Sequence, residues 1–226
     1  PDTPPPSPWF RCPTASPLEP LHVRQSDRDA AGDIWLVIDA QAAAQLGEGA
    51  QSTEEHAVLL AAALAARALD ETRGVGLAAF SQQPQLVPPA LGAGQQWAIL
   101  RGLALLQADG DIDLGRALQE LGDVARRGSA AIIITATADA GWLPHLTQLS
   151  RRGLESHVLL LDRASFGGQG SSEALRATIA LLGYRCQLLR RGEVGRPLVE
   201  AEHHGFWEFK VTGTGRAIAV RRPFER

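Results

Sequence analysis

Short, uninterrupted apolar runs alternate with segments of helical spacing along most of this sequence. The first run, Ile34–Asp39, reads IWLVID, and such a run is typical of a strand buried on both faces of a parallel sheet. Further strand candidates lie at residues 74–80, 130–135, 158–162 and 184–190, and helical segments at residues 53–70, 95–107, 111–127, 141–152 and 171–182. The alternation predicts right-handed βαβ units. It therefore predicts an α/β fold, a three-layer α/β/α sandwich with a mostly parallel, doubly wound sheet.

The ends of the chain differ from this central pattern. Eight of the first twenty residues are proline, so residues 1–32 are predicted to form an extended N-terminal segment. Residues 33–190 are predicted to form the α/β domain. Residues 191–226 form a C-terminal extension, in which the apolar stretches 206–211 and 216–221 flank Thr-Gly-Thr-Gly and predict a β-hairpin.

Local signals mark several element boundaries. Ser52 and Glu55 form a capping-box pattern at the start of the first helix, and Gly153 is placed to end a later one. Residues 85–88 follow a turn and are expected to run back beside the second strand as an edge strand. Four tryptophans are expected to pack in the core or at an interface: Trp35, Trp97, Trp142 and Trp207.

Charge and composition exclude several classes of function. The chain has 22 Lys+Arg against 25 Asp+Glu, a net charge of −3, which leaves no basic footprint for nucleic acid or an anionic membrane. Its longest apolar run, residues 57–66, is too short to span a bilayer. The sequence holds no Met, which leads us to expect an excised or processed piece of a longer protein. No GxSxG, HExxH or paired Cys/His motif is present, so we expect no enzyme activity and no cofactor.

Ligands of open α/β sheets bind beyond the carboxyl ends of the strands, so the candidate interaction face is sought there. Asp39 ends the first strand and can either bind a cation or cap a loop. Thr135 and Thr137 are expected to bond the local backbone, and Asp139 is expected to cap the helix that begins near Gly141. The candidate face comprises Asp39, Gln41, Gly47, Gly49, Ser81, Asp111, Thr135, Thr137, Asp139, Trp142, Ser165, Phe166 and Gly167.

A glycine-rich stretch at residues 165–172 follows a strand and precedes a helix. Its place is that of a phosphate-binding loop, but it lacks both GxxxxGK[ST] and GxGxxG. A plain loop with a serine N-cap is the simpler interpretation. An anion site at the helix N-terminus is the alternative, with Arg163 as the only nearby cation.

Several segments together resemble one family. They are Ile34–Asp39, Ser52–Ala66, Val75–Leu77, Pro88–Gly92, Ile132–Thr135, Arg151–Gly153 and Leu160–Gly168, within a similarity over about residues 10–190. In order and spacing they resemble the domain of unknown function 58 family. The resemblance implies a von Willebrand factor A-like domain.

The resemblance also implies a Mg²⁺ site built from Asp-x-Ser-x-Ser, a distant Thr and a distant Asp. Here the first motif reads Asp39-Ala-Gln41-Ala-Ala43, Ile112 stands in the place of the Thr, and Ala136 follows Thr135 where the Asp is expected. Because affinity for a hard cation depends on the number and charge of its ligands, we predict no functional metal site and regard Asp39 as a remnant. A non-standard site that uses Asp39, Gln41, Asp111 and Asp139 is a further alternative.

By resemblance, the domain is expected to be a non-enzymatic protein–protein interaction module. Family members work with MoxR-type AAA+ ATPases in assembly or chaperoning, so such an ATPase is the implied partner. The resemblance also implies a cytoplasmic domain tethered to the membrane by an N-terminal segment absent from this chain, with no membrane contact of its own. An anion-binding domain and a metal-dependent adhesion domain with an altered site are the alternatives.

Overall fold

The computed structural model describes residues 32–194 and the backbone of two later strands. Its elements, in chain order, are β1 (Ile34–Ile38), α1 (Thr53–Asp70), β2 (Val75–Ala79), β3 (Gln85–Ala90), α2 (Ala93–Ala104), α3 (Leu114–Val124), β4 (Ala130–Thr135), α4 (Leu143–Arg151), β5 (Glu155–Leu161), α5 (Ser172–Leu181), β6 (Arg185–Leu189), β7 (Glu208–Val211) and β8 (Ala217–Arg221). The predicted extended segment at residues 1–31 lies outside the described residues.

One six-stranded sheet has the order β3-β2-β1-β4-β5-β6. Five strands are parallel, and β3 pairs antiparallel with β2 at one edge, as predicted. The strand order reverses between β1 and β4, so the loops that follow these two strands diverge to opposite faces and leave a crevice between them. The three-layer, doubly wound α/β fold is therefore confirmed. The C-terminal hairpin is also confirmed, because β7 and β8 pair antiparallel with each other.

Two apolar clusters fill the two faces of the sheet. Helices α1 and α2 cover one face, and α3, α4 and α5 cover the other. All five residues of β1 are buried because both faces of this central strand are covered. Among the described residues, no helix has the length and apolar character that crossing a membrane requires.

Side-chain caps place the helices. The Ser52 hydroxyl accepts from the Glu55 N–H at 3.1 Å and begins α1 where the capping pattern predicted it. Asp113 caps α3 in the same way, by accepting from the Arg116 N–H at 3.0 Å. The helix expected from residue 111 therefore begins three residues later, because Asp113 is the cap. Gly153 follows α4 with a φ of +86°, the left-handed backbone that glycine adopts without strain.

The tryptophans divide between core and surface. Trp35 and Trp142 are each 3% exposed and lie in the core, as predicted. Trp97 is 74% exposed, so it does not lie in the core, and the other expected place, an interface, stays a prediction. Helix α2 spans Ala93–Ala104 and turns Ile99 and Leu103 inward, which leaves Trp97 on the outer face. Trp207 lies outside the described side chains.

Candidate functional site

The carboxyl end of β1 places Asp39 beside the end of β4. The register pairs Ile38 with Ile134, so Asp39 and Thr135 are next to each other one position further along. Thr135 Oγ1 donates to Asp39 Oδ2 at 2.6 Å, and the Gln41 N–H donates to Asp39 Oδ1 at 3.2 Å. Thr135 Oγ1 also accepts from the Thr137 N–H at 3.0 Å, so it bonds the local backbone, as expected, and Asp39 as well. Both oxygens of the carboxyl group therefore have partners within the chain.

Burial governs the chemistry of Asp39, which is 5% exposed. Loss of solvent raises the pKa of this carboxyl group above its ordinary value of 3.8, against the opposing effect of the hydrogen bonds from Thr135 and Gln41. The charge of Asp113 raises this pKa further, and the charge of Arg163 lowers it. The carboxyl group thus lies beneath the surface of the site.

The loop after β1 is held by its own side chains and by the loop before α3. Gln45 Nε2 donates to the Asp39 carbonyl at 2.9 Å, and Thr53 Oγ1 donates to Gln45 Oε1 at 2.9 Å. The Gly110 N–H donates to the Ala40 carbonyl at 2.9 Å, and the Gly110 carbonyl accepts from the Ala42 N–H at 2.9 Å. These bonds hold the backbone around Asp39 in place.

Arg163 joins three loops at this edge of the sheet. Its Nη1 donates to the Ala136 carbonyl at 2.8 Å and to the Ala44 carbonyl at 3.4 Å, and its Nε donates to the Gln169 carbonyl at 3.0 Å. These carbonyls follow β4, β1 and β5 respectively. The guanidinium thus supplies a fixed positive charge and several donors at the place where the loops meet.

A cleft of about 480 Å³ opens between the loops at the carboxyl ends of the parallel strands. Some of its lining belongs to the predicted face: Gln41, Thr137, Asp139 and Trp142. The other lining residues are Ala43, Ala44, Asp113, Leu114, Gly115, Ala138, Gly141, Arg163 and Gln169. Asp113 and Asp139 are both exposed and place two carboxylates on the rim. Within the described residues, no group of three or more His, Cys, Asp or Glu is placed to hold a metal ion.

Several predicted face residues lie apart from the cleft. Ser81 is buried, and its hydroxyl donates to the Gln83 carbonyl at 2.8 Å. Phe166 is buried against His56, edge to face, with ring centroids 4.9 Å apart. Ser165 donates to the Asp162 carbonyl at 2.7 Å and accepts from the Arg191 N–H at 2.9 Å. The remaining predicted residues are exposed but do not line the cleft: Gly47, Gly49, Asp111 and Gly167.

Asp139 does not have the predicted capping role. Helix α4 begins at Leu143 with Trp142 at the N-cap position, and no side-chain cap bond is formed there. Pro144 in the first turn removes one N–H that would need a partner, which lessens the need for a cap. The Asp139 N–H instead donates to Thr137 Oγ1 at 3.3 Å. Its carboxylate is left at the rim of the cleft.

The glycine-rich loop has the simpler of its two predicted structures. Residues 163–166 form a 3₁₀ turn, and the Ser171 hydroxyl caps α5 by accepting from the Ala174 N–H at 3.1 Å. The Ser172 hydroxyl accepts from the Arg163 N–H at 3.0 Å. The Ser171 and Ser172 hydroxyls therefore bond within the chain, and Arg163, which precedes the stretch, and Gln169, which belongs to it, line the cleft.

Several solved structures are similar to this chain. An aerotolerance-related membrane protein from Bacteroides fragilis is 17% identical, with 72% of this chain and 92% of that chain covered and a TM-score of 0.52. Proximal thread matrix protein 1 from the mussel byssus, with a zinc-occupied MIDAS motif, is 15% identical, with 75% and 46% covered and a TM-score of 0.51. A von Willebrand factor type A protein from Catenulispora acidiphila is 16% identical, with 71% and 39% covered and a TM-score of 0.47. The chain thus spans less than half the length of the last two proteins.

The fold is von Willebrand factor A-like, as the family resemblance implied. The family model described as "Protein of unknown function DUF58" matches residues 14–165, and the chain belongs to that family. No curated protein sequence matches this chain.

Proposed function

We propose that this domain is a non-enzymatic protein–protein interaction module that binds its partner without a metal ion. The observation that carries the proposal is the bonding around Asp39. Its carboxyl oxygens accept from Thr135 and from the Gln41 N–H, and a permanent cation, Arg163, binds the surrounding loops together. Hydrogen bonds within the chain thereby hold the loops at the carboxyl ends of the strands in place.

The donor set does not fit the Mg²⁺ site that the family resemblance implies. Three of its positions hold Ala43, Ile112 and Ala136, whose side chains carry no oxygen. Asp39 is buried with its oxygens in use, and burial raises its pKa, which opposes the charged form that a metal needs. We therefore derive no step through a metal ion.

We propose that the cleft is the centre of the interaction face. It combines a rim of exposed carboxylates, Asp113 and Asp139, with backbone groups of the loops after β1 and β4. Such a face offers hydrogen bonds and shape rather than catalytic groups. The internal bonding of Ser171 and Ser172 argues against the alternative of an anion site in the glycine-rich loop.

A MoxR-type AAA+ ATPase is the partner that we propose from the family resemblance, with a role in assembly or chaperoning. We also propose that the domain is held at the cytoplasmic side of a membrane by an N-terminal segment outside this chain. The similarity to a Bacteroides fragilis protein named as a membrane protein supports an association with a membrane.

Metal independence is tested by thermal unfolding. Melting curves are recorded in EDTA and then in millimolar Mg²⁺, Mn²⁺ and Ca²⁺, for the wild type and for Asp39→Ala. We expect the same midpoint under all conditions for each protein, because ligand binding to the folded state would raise it. A metal-dependent rise in the wild type that Asp39→Ala abolishes would overturn the proposal.

The interaction face is tested by direct binding to a purified MoxR-type ATPase from the same organism. We expect binding that EDTA leaves unchanged and that Asp139→Arg weakens at least tenfold. Asp70→Arg is the matched control, since it makes the same change of charge at another exposed position. Asp70 ends α1, at the amino ends of the parallel strands and away from the cleft. Equal effects of the two variants, or loss of binding in EDTA, would contradict the proposal.

A further inference from the structure

The charged residues that line the cleft differ in number and in the bonds that they make. Asp113 and Asp139 are exposed carboxylates, and Arg163 is the one cation that the described lining includes. Arg163 is half-buried, and its Nη1 and Nε donate to backbone carbonyls of three loops. Neither carboxylate belongs to an ion pair within the described part of the chain. The open side of the cleft is therefore acidic.

A second depression, of about 510 Å³, adjoins the cleft between α3 and α4. Asp113 belongs to both linings, so the two depressions are neighbours. The rest of the second lining consists of Arg116, Gln119, Glu120, Asp123 and His145. Carboxylates again outnumber guanidinium groups, and Arg116 is already paired with Glu120 at 3.3 Å. The acidic surface thus continues from the cleft along the two helices.

The wall of the cleft includes a buried hydrogen-bond donor without an acceptor. Trp142 lines the cleft and is 3% exposed, and its Nε1 is buried with no hydrogen-bond partner among the described residues. Buried polar atoms without a partner are rare in folded proteins. Because an indole N–H can only donate, the group that completes this wall is an acceptor.

The two observations together select a chemical class of ligand. A carboxylate would satisfy the indole N–H, but Asp113 and Asp139 would repel it. A peptide carbonyl is a neutral acceptor, and it is free for such a bond where the backbone is extended rather than helical. A basic side chain on the same segment would pair with the carboxylates of the rim.

We propose that the cleft binds an extended segment of the partner protein that carries a lysine or arginine. The basic side chain pairs with Asp113 and Asp139, and a backbone carbonyl of the segment accepts from Trp142 Nε1. This inference rests on the proposed function, since it names the chemistry of the segment that the interaction face binds.

A peptide-display selection tests the class of ligand. The bait is the full chain, and the probe is a library of random linear peptides. We expect the selected peptides to be enriched in Lys and Arg. Asp113→Asn combined with Asp139→Asn is expected to weaken their binding by at least about tenfold, because both ion pairs are lost. Asparagine at position 113 keeps the side-chain oxygen that caps α3, so the double variant should fold.

Asp70→Asn combined with Glu155→Gln is the matched control for charge. Both residues are exposed, and they lie at the amino ends of the parallel strands, away from the cleft. This control also removes two carboxylates, and we expect it to leave the affinity of the selected peptides unchanged.

NMR of the indole N–H groups tests the contact with Trp142. We expect a selected peptide to move the Trp142 indole proton downfield, because it gains an acceptor, and to leave the signal of Trp97 on α2 in place. A Trp142 signal that does not move at saturating peptide overturns the carbonyl contact.

The outcomes of the selection separate this inference from the proposed function. Peptides enriched in Asp or Glu, with binding that the cleft double variant strengthens, overturn the basic ligand and leave the cleft as the interaction face. Peptides that the double variant binds as tightly as the wild type does, or a selection that enriches no sequence, overturn both.

Discussion

Thr135 donates its hydroxyl proton to the carboxyl group of Asp39 across a sequence separation of 96 residues, with 2.6 Å between the two oxygens. The bond links the ends of β1 and β4 at the point where the strand order of the sheet reverses. It lies in a buried environment, where a polar group without a partner is costly. We therefore expect this pair to contribute to stability as well as to the shape of the site.

Thr135→Val removes the hydroxyl donor and keeps a side chain of similar shape. We expect the free energy of unfolding to fall by about 1–3 kcal/mol, because a buried carboxyl oxygen is left without a partner. Thr135→Ser keeps the hydroxyl and is expected to cost about 1 kcal/mol for the lost methyl group. Urea unfolding of the three proteins measures both differences. Equal losses for Val and Ser would show that packing, rather than the hydrogen bond, accounts for the effect.

The pH dependence of stability reports the ionisation of Asp39. Its pKa is raised in the folded protein, so above pH 3.8 the folded state holds a proton that the unfolded state has lost. Stability therefore falls as the pH rises from that value through the folded-state pKa, by at most about 1.4 kcal/mol per pH unit for a single proton. Asp39→Asn lacks this proton, so its unfolding free energy should fall less over the same range. Parallel curves for the two proteins between pH 4 and pH 8 would refute the assignment.

Substitution of Arg163 tests whether its guanidinium organises the site. Arg163→Lys keeps the charge but cannot bond both the Ala136 and the Gln169 carbonyls with one planar group. We expect a loss of about 1–3 kcal/mol in unfolding free energy and faster amide hydrogen exchange in residues 136–142. Arg126→Gln, which changes an exposed arginine whose side chain makes no hydrogen bond to another described residue, should change neither quantity. Exchange rates in Arg163→Lys that match those of the wild type would be inconsistent with this role.

Two glycines differ in the room available for a side chain. A Cβ on Gly110 would lie 2.5 Å from the Phe80 carbonyl oxygen and 3.0 Å from the Ala40 carbonyl oxygen, whereas a Cβ on Gly94 meets nothing within 4 Å. We expect Gly110→Ala to lower the unfolding free energy by about 1–3 kcal/mol, because backbone must move. Gly94→Ala should leave it unchanged or raise it by up to about 1 kcal/mol, since alanine favours helix. Thermal and urea unfolding decide between these outcomes, and equal stability of the two variants would contradict the close approach at Gly110.

Helix α2 shows why helical periodicity alone does not identify the buried face of a helix. The spacing of Trp97, Leu100, Leu103 and Leu106 predicts that the four lie on or near one face, but Trp97 and Leu100 are exposed whereas Leu103 and Leu106 are buried. The inward face instead includes Gly102, where a Cβ would come within 2.9 Å of Leu77 Cδ2, and Gln95, whose Nε2 donates to the Pro88 carbonyl at 2.8 Å. Neither residue contributes to an apolar pattern. Gly102 is buried because the helix comes close to the sheet, and Gln95 is buried because its amide bonds a carbonyl of the edge strand. Both are tertiary contacts, which the spacing of apolar residues does not predict.

The amino-acid sequence alone predicts the helices and strands of this protein, because apolar runs such as Ile34–Ile38 and caps such as Ser52 act on neighbouring residues. It also placed Asp39 and Thr135 at one edge of the sheet, since parallel strands end together. The hydrogen bonds that those side chains make depend on tertiary packing. Arg163 reaches carbonyls 27 and 119 positions away in sequence, and the Asp39 carboxyl group accepts from a hydroxyl on another strand. Such bonds depend on the distances between loops of different strands, which are set when the strands pair and the helices pack.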